Sequence, residues 1–153
     1  MTIKSITPFL WFDTQAGDAA DYYVSLFPGS RIINTSRYGD FMPDKAGKIM
    51  VVELELMGQR LTFMNGGTHY KLDAAFSLSV GVEDQAELDR LWEALNHTPS
   101  ACGWTTDKFG LVWQINYAHL PELMKNQGKT NKVMAAMMTM IKIDIQKLKD
   151  AAV

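Results

Sequence analysis

Few residues in this chain have the types and spacing that chemistry requires. Three histidines, His69, His97 and His119, stand far apart, with no HxH or HxxxH pair that would grip a metal. His69 is the strongest of them, because it follows Asn65, Gly66 and Gly67 at the end of an expected strand. An imidazole there could act as a general acid or base. His97 and His119 read as surface or hydrogen-bonded side chains. Glu53 and Glu55 share one strand face, about 7 Å apart along it. A carboxylate pair could hold a cation or move a proton. Val52, Leu54 and Leu56 make the better buried face, however, so the pair reads as solvated. Cys102 is the single cysteine. It has no obvious positioned base and reads as a small buried hydrophobe. It cannot form an internal disulfide, which fits a reducing, cytoplasmic setting.

The elements that must position these groups come as a pattern written twice. TPFLWFD leads into AADYYVSLF, and FSLSVGVED leads into QAELDRLWEAL. In the first copy, residues 6–12 are expected as a strand buried on both faces. Asp13 or Thr14 would cap a helix whose inner face carries Ala19, Ala20, Tyr23, Val24 and Phe27. A strand is expected over 31–38, a loop and candidate lid over 39–47, and a hairpin over 49–57 and 59–65. In the second copy, 76–82 alternates, with Phe76, Leu78, Val80 and Val82 on one face. Asp84 would cap a helix bearing Leu88, Leu91, Trp92 and Leu95 inward. A polar loop over 96–101, a strand over 102–106, a turn over 107–110 and a closing strand over 111–117 follow. Two C-terminal helices complete the chain. Met134, Met137, Met138 and Ile141 line one face of the longer, as core or subunit contact, and Asp144 caps the last.

The bulk numbers exclude several classes of function. At 153 residues the chain is most simply one domain with a sizeable core. It would hold one module over about 3–67, a second over about 75–117 and a helical extension over about 118–153. The 15 basic and 17 acidic residues leave a net charge of −2, which gives no footprint for nucleic acid. No apolar run approaches the roughly 18 residues of a membrane span. The N-terminal stretch reads as a first strand, not a secretion signal.

The segments ITPFLWFD, AADYYVSLFPGSRI, NGGTHYK, CGWTTDKFGLVWQI and VMAAMMTMIKIDIQKL together resemble the PhnB-like family. That family is also called 3-demethylubiquinone-9 3-methyltransferase-like, and it sits in the glyoxalase, or vicinal oxygen chelate, superfamily with the bleomycin-resistance fold. The resemblance implies an α+β fold, two βαβββ modules in a half-open barrel, and a homodimer. Metal-dependent members of the superfamily place His or Glu ligands on four cleft strands. The matching positions here fall near Ile6 or Pro8, and at Asn65, Ser77 and Gln114. None is a histidine or a carboxylate, and neutral amides and hydroxyls bind divalent transition metals poorly. The standard metal centre is therefore expected to be missing, and no cofactor is expected. The cleft candidates are instead ligand contacts: Asn65, Ser77, Ser79 and Gln114 as hydrogen-bonding groups, Phe63 and Trp104 as apolar walls. Arg37 could meet an anion near the mouth, and His69 would be the proton carrier if there is chemistry.

The leading expectation is a small-molecule-binding protein for a partly aromatic or polar organic ligand. One alternative is a divalent-metal lyase, isomerase or dioxygenase with atypical ligands such as His69 and Glu53. Another is the methyl transfer in the family's name, although no Gly-rich strand-to-helix loop for S-adenosylmethionine is evident. A third is a sequestering module without turnover, since fold alone does not choose a function.

Overall fold

The computed structural model describes residues 2–153. They form two compact units, one up to residue 72 and one over 73–153. The first contains β1 (Phe9–Phe12), α1 (Ala16–Leu26), β2 (Arg31–Arg37), a 3₁₀ turn (Pro43–Lys45), β3 (Ile49–Leu56) and β4 (Gln59–Asn65). Its sheet has the order β1-β4-β3-β2. β1 runs parallel to β4, and the other pairs are antiparallel.

Strand alternation decides which side of this sheet α1 covers. Leu10, Phe12, Val52, Leu54, Leu56, Leu61 and Phe63 are buried, and so are Ala16, Ala19, Ala20 and Tyr23 of the helix. The alanines allow close approach, and Tyr23 meets Phe63 edge-on at 5.9 Å between ring centroids. β1 corrects the expectation of a strand buried on both faces, because Ile6 is 95% exposed and Phe9 60% exposed. The ladder starts at Phe9 because Pro8 has no N–H to donate; its carbonyl accepts from Thr62 instead. The expected cap at Asp13 or Thr14 is also corrected. The N-cap position is Gln15, whose side chain makes no cap bond. The Ala16 N–H is taken at 2.8 Å by Oδ1 of Asn65, from the end of β4.

The second unit repeats the scheme with β5 (Leu78–Val82), α2 (Gln85–Leu95), β6 (Thr98–Pro99), β7 (Trp104–Thr106) and β8 (Val112–Tyr117). The order is β5-β8-β7-β6, again with the outer pair β5 and β8 parallel. The internal repeat is thus a repeat of topology. Asp84 caps α2 by accepting from the Glu87 N–H at 2.9 Å, and Leu88, Leu91 and Leu95 are buried. The expected loop over 96–101 contains the short edge strand β6.

The unit is completed by α3 (Leu120–Leu123), α4 (Gln127–Met137) and α5 (Ile145–Ala151), the last capped by Asp144. The segment before α5 is clipped to the rest of the unit. Cys102 and Gly103 donate their N–H groups to the carbonyls of Met140 and Ile141, each at 2.8 Å. Both residues have positive φ, so β7 begins at Trp104 and not at Cys102. A Cβ on Gly103 would lie 2.6 Å from the Ile115 carbonyl oxygen, so a side chain has no room there. Gln85 donates to the Ile143 carbonyl and accepts from the Ile145 N–H. The methionine stripe is split: Met137 is buried, while Met134, Met138 and Ile141 are exposed. The helix ends at Met137, so later residues leave its phase, and the inward set becomes Val133, Met137, Met140 and Ile143.

Asp107 anchors the turn between β7 and β8. It is 3% exposed. Oδ1 accepts from the N–H groups of Phe109 and Leu111, and Oδ2 accepts from the Trp113 indole at 2.8 Å. Replacing it by alanine strands three buried or part-buried donors. Asp107→Ala should cost about 2–3 kcal/mol in urea unfolding, and Asp107→Asn less, because one oxygen remains. Equal stability of Asp107→Ala and the native chain would contradict this anchoring role.

Candidate functional site

The face of the second sheet that points away from α2 gathers neutral hydrogen-bonding groups. Its orientation is fixed by Thr105, whose hydroxyl donates to Asn96 Oδ1 at the end of α2, and by Trp113, which pairs with Thr105 in register. Trp113 and Ile115 are fully buried on that helix side. Alternation therefore places Gln114 and Asn116 on the opposite face. There Ser79, Gln114 and Trp104 stand in one cross-strand row. Gln114 Nε2 donates to Ser77 Oγ at 2.8 Å, which holds its carboxamide across the strand end. Four of the expected ligand contacts, Ser77, Ser79, Trp104 and Gln114, are thus brought together. Trp104, Ser77 and Gln114 are half-buried and Ser79 is exposed.

Sequence reasoning missed the fifth member, Asn116. Its Oδ1 is buried and has no hydrogen-bond partner among the described residues. Buried acceptors are nearly always satisfied, so this oxygen would take a donor from a ligand that displaces the groups covering it. It stands opposite Gly81, and Ala118 packs over that glycine, its Cα 3.1 Å from where a Cβ would lie. Its position two residues beyond Gln114 was a usable cue.

Phe63 and Asn65 share a face, as alternation requires, and it is the α1 face. Phe63 is fully buried, 4.9 Å from the Phe12 ring centroid. The Asn65 carboxamide caps α1 and donates to the Ile49 carbonyl at 3.2 Å, while its backbone oxygen accepts from the Tyr38 hydroxyl at 2.6 Å. Arg37 donates to the Gly47 carbonyl. On the opposite face Glu53 is exposed beside Asn34, and Glu55 pairs with Arg31 and Arg60, as expected for solvated carboxylates.

His69 is exposed in the loop after β4, its ring edge-on to Tyr70, which is in turn edge-on to Trp11. The Trp11 indole donates to the Gly67 carbonyl at 2.8 Å. A Cβ on Gly66 would lie 2.1 Å from the indole, so only glycine lets the ring lie against this turn. His97 is exposed, and Cys102 is half-buried.

The neutral residues that the resemblance sets at metal positions match the ligand preferences of a divalent transition metal poorly. Asn65 and Gln114 are neutral carboxamides already engaged within the chain. Among the described residues no three His, Cys, Asp or Glu side chains form a group able to hold an ion.

A family model described as 3-demethylubiquinone-9 3-methyltransferase matches residues 4–116. The PhnB protein of Bacillus cereus is 30% identical, with a TM-score of 0.64 over 72% of this chain and 97% of that one. The chain therefore belongs to the PhnB-like, 3-demethylubiquinone-9 3-methyltransferase family, and its α+β fold is of the glyoxalase/bleomycin-resistance type. A Pseudomonas aeruginosa protein shares the fold at 23% identity and a TM-score of 0.60, covering 75% of this chain and 98% of that one. No curated protein matches the chain.

The clearest titratable cluster lies at the start of α3. His119 Nε2 is 2.7 Å from Glu83 Oε2, and Nδ1 is 3.1 Å from Glu122 Oε1. The bond to Glu83, then that to Glu122, raises its pKa above the ordinary 6.5. A raised folded-state value means that the stabilisation is fully present below the unfolded-state value. It is lost as pH rises through the folded-state value. Titration of the imidazole by NMR should give a midpoint above 6.5, returning toward it in Glu83→Gln. A midpoint that does not move in that variant would contradict the pairing.

Proposed function

We propose that this chain is a small-molecule-binding protein whose ligand lies on the face of the second sheet that points away from α2. The supporting observation is the cross-strand row of Ser79, Gln114 and Trp104, with the Gln114 carboxamide held by Ser77 and the unpartnered Asn116 oxygen two residues further along β8. Neutral donors and acceptors beside one indole suit an uncharged, partly aromatic ligand. Gln114 would orient it, Trp104 would supply apolar contact, and the Asn116 oxygen would accept from a ligand hydroxyl or N–H. Binding in this reading needs no metal, because the donor set is neutral. Phe63 and Asn65 would act by holding α1 against the first sheet, and His69 is the proton carrier if binding leads to turnover. The resemblance adds a homodimer, with exposed Met134, Met138 and Ile141 as its expected contact, and the single cysteine fits a reducing, cytoplasmic setting.

The methyl transfer in the family's description has less support. Each sheet has a single parallel pair and is otherwise antiparallel. A doubly wound sheet would instead offer a crevice at parallel strand ends. Calorimetry with S-adenosylmethionine should show no saturable heat; saturable binding would favour the methyltransferase reading.

Equilibrium dialysis against a panel of small neutral aromatic compounds tests the site. Gln114→Leu should weaken each bound compound by about tenfold or more. Asn116→Leu should do the same while leaving stability unchanged or up to about 1 kcal/mol higher, because an unpaired buried acceptor is removed. Undiminished affinity in both variants would sink the proposal.

A further inference from the structure

We infer that the first unit carries a separate site for a small organic anion, built where the 39–48 segment meets the ends of β3 and β4. A cavity of about 340 Å³ lies there, within the range of small-molecule pockets. Tyr38, Ile49 and Gly67 give it a largely apolar wall, and its lining includes two cationic residues, Lys45 and Lys48. Asp13 and Thr14 also line it. Two lysines against one aspartate leave the lining with a net charge of +1 (2 − 1).

The cations are carried on a stapled loop. The Gly47 N–H donates to the Tyr38 carbonyl at 2.8 Å, and the Tyr38 N–H donates to the Lys48 carbonyl at 2.9 Å. The Lys48 N–H donates to the Lys45 carbonyl at 2.9 Å, and Arg37 holds the Gly47 carbonyl from outside. Lys45 Nζ sits 5.2 Å from the Tyr38 ring centroid. The Asn65 carboxamide and the Tyr38 hydroxyl are already satisfied. Asn65 Oδ1 takes the first N–H of α1, its Nδ2 donates to Ile49, and the Tyr38 hydroxyl donates to the Asn65 carbonyl. Lys45 and Lys48 are the cationic residues of the lining. A carboxylate or phosphate monoester on a flat apolar body matches this division: the body against Tyr38 and Ile49, the anion toward Lys45 and Lys48. Lysine ammoniums act as point charges and accept either anion.

Titration of the full chain with benzoate, phenyl phosphate, benzyl alcohol and inorganic phosphate, read by NMR at Tyr38 and Ile49, tests this site. At least one of the two aromatic anions should bind saturably, and whichever is tighter identifies the anion class. Benzyl alcohol and inorganic phosphate should each be about tenfold weaker or worse, and affinity should fall with added salt. The double variant Lys45→Met, Lys48→Met should lose about tenfold in affinity with an unchanged circular dichroism spectrum. The site is refuted if neither aromatic anion binds, or if benzyl alcohol or inorganic phosphate binds equally well. It is equally refuted by binding that the double variant leaves intact. Should that variant fold poorly, salt-independent binding to the native chain refutes it alone.

Discussion

One constraint organises both units: a sheet crossed by a single helix must hide one set of alternating side chains and present the other. In the first unit α1 claims the face of Leu54, Leu61 and Phe63, so Glu53 and Glu55 are left to water and to arginines. In the second, α2 claims Trp113 and Ile115, so Ser79, Gln114 and Asn116 fall on the other side together. A slip of one residue in β8 would bury the carboxamides and expose the tryptophan. The Asp107 carboxylate, tied at once to the turn and to the Trp113 indole, guards that register.

Much of the architecture was legible because it rests on local signals. Leucines at 88, 91 and 95 mark a helix face, Asp84 and Asp144 mark caps, and Met57-Gly58 marks a hairpin, and the structure has all of these. The repeat was legible because the same order of elements recurs. What failed was long-range. Asp13 and Thr14 looked like caps because they are adjacent, but the group that reaches the helix end is Asn65, 49 residues away from Ala16. The methionine stripe extended a helical phase past the place where the helix stops.

The candidate site shows the same division. Alternation tells that Phe63 and Asn65 share a face, but not that the face is covered by α1. For Ser77, Ser79, Trp104 and Gln114 the sequence suggested cleft residues, and the register sets Ser79, Gln114 and Trp104 side by side. Asn116 escaped notice because lacking a partner is a property of three-dimensional surroundings. Lys45 and Lys48 escaped because a loop lysine is ordinarily solvated, and only the Tyr38 and Gly47 staples bring them to one cavity.

The most direct measurement follows the side-chain amide signals of Gln114 and Asn116 in isotope-labelled protein during titration with small neutral aromatic compounds. Saturable displacement of both signals by the same compound is the expected result. A compound that binds while both signals stay fixed would place its site elsewhere and contradict the assignment.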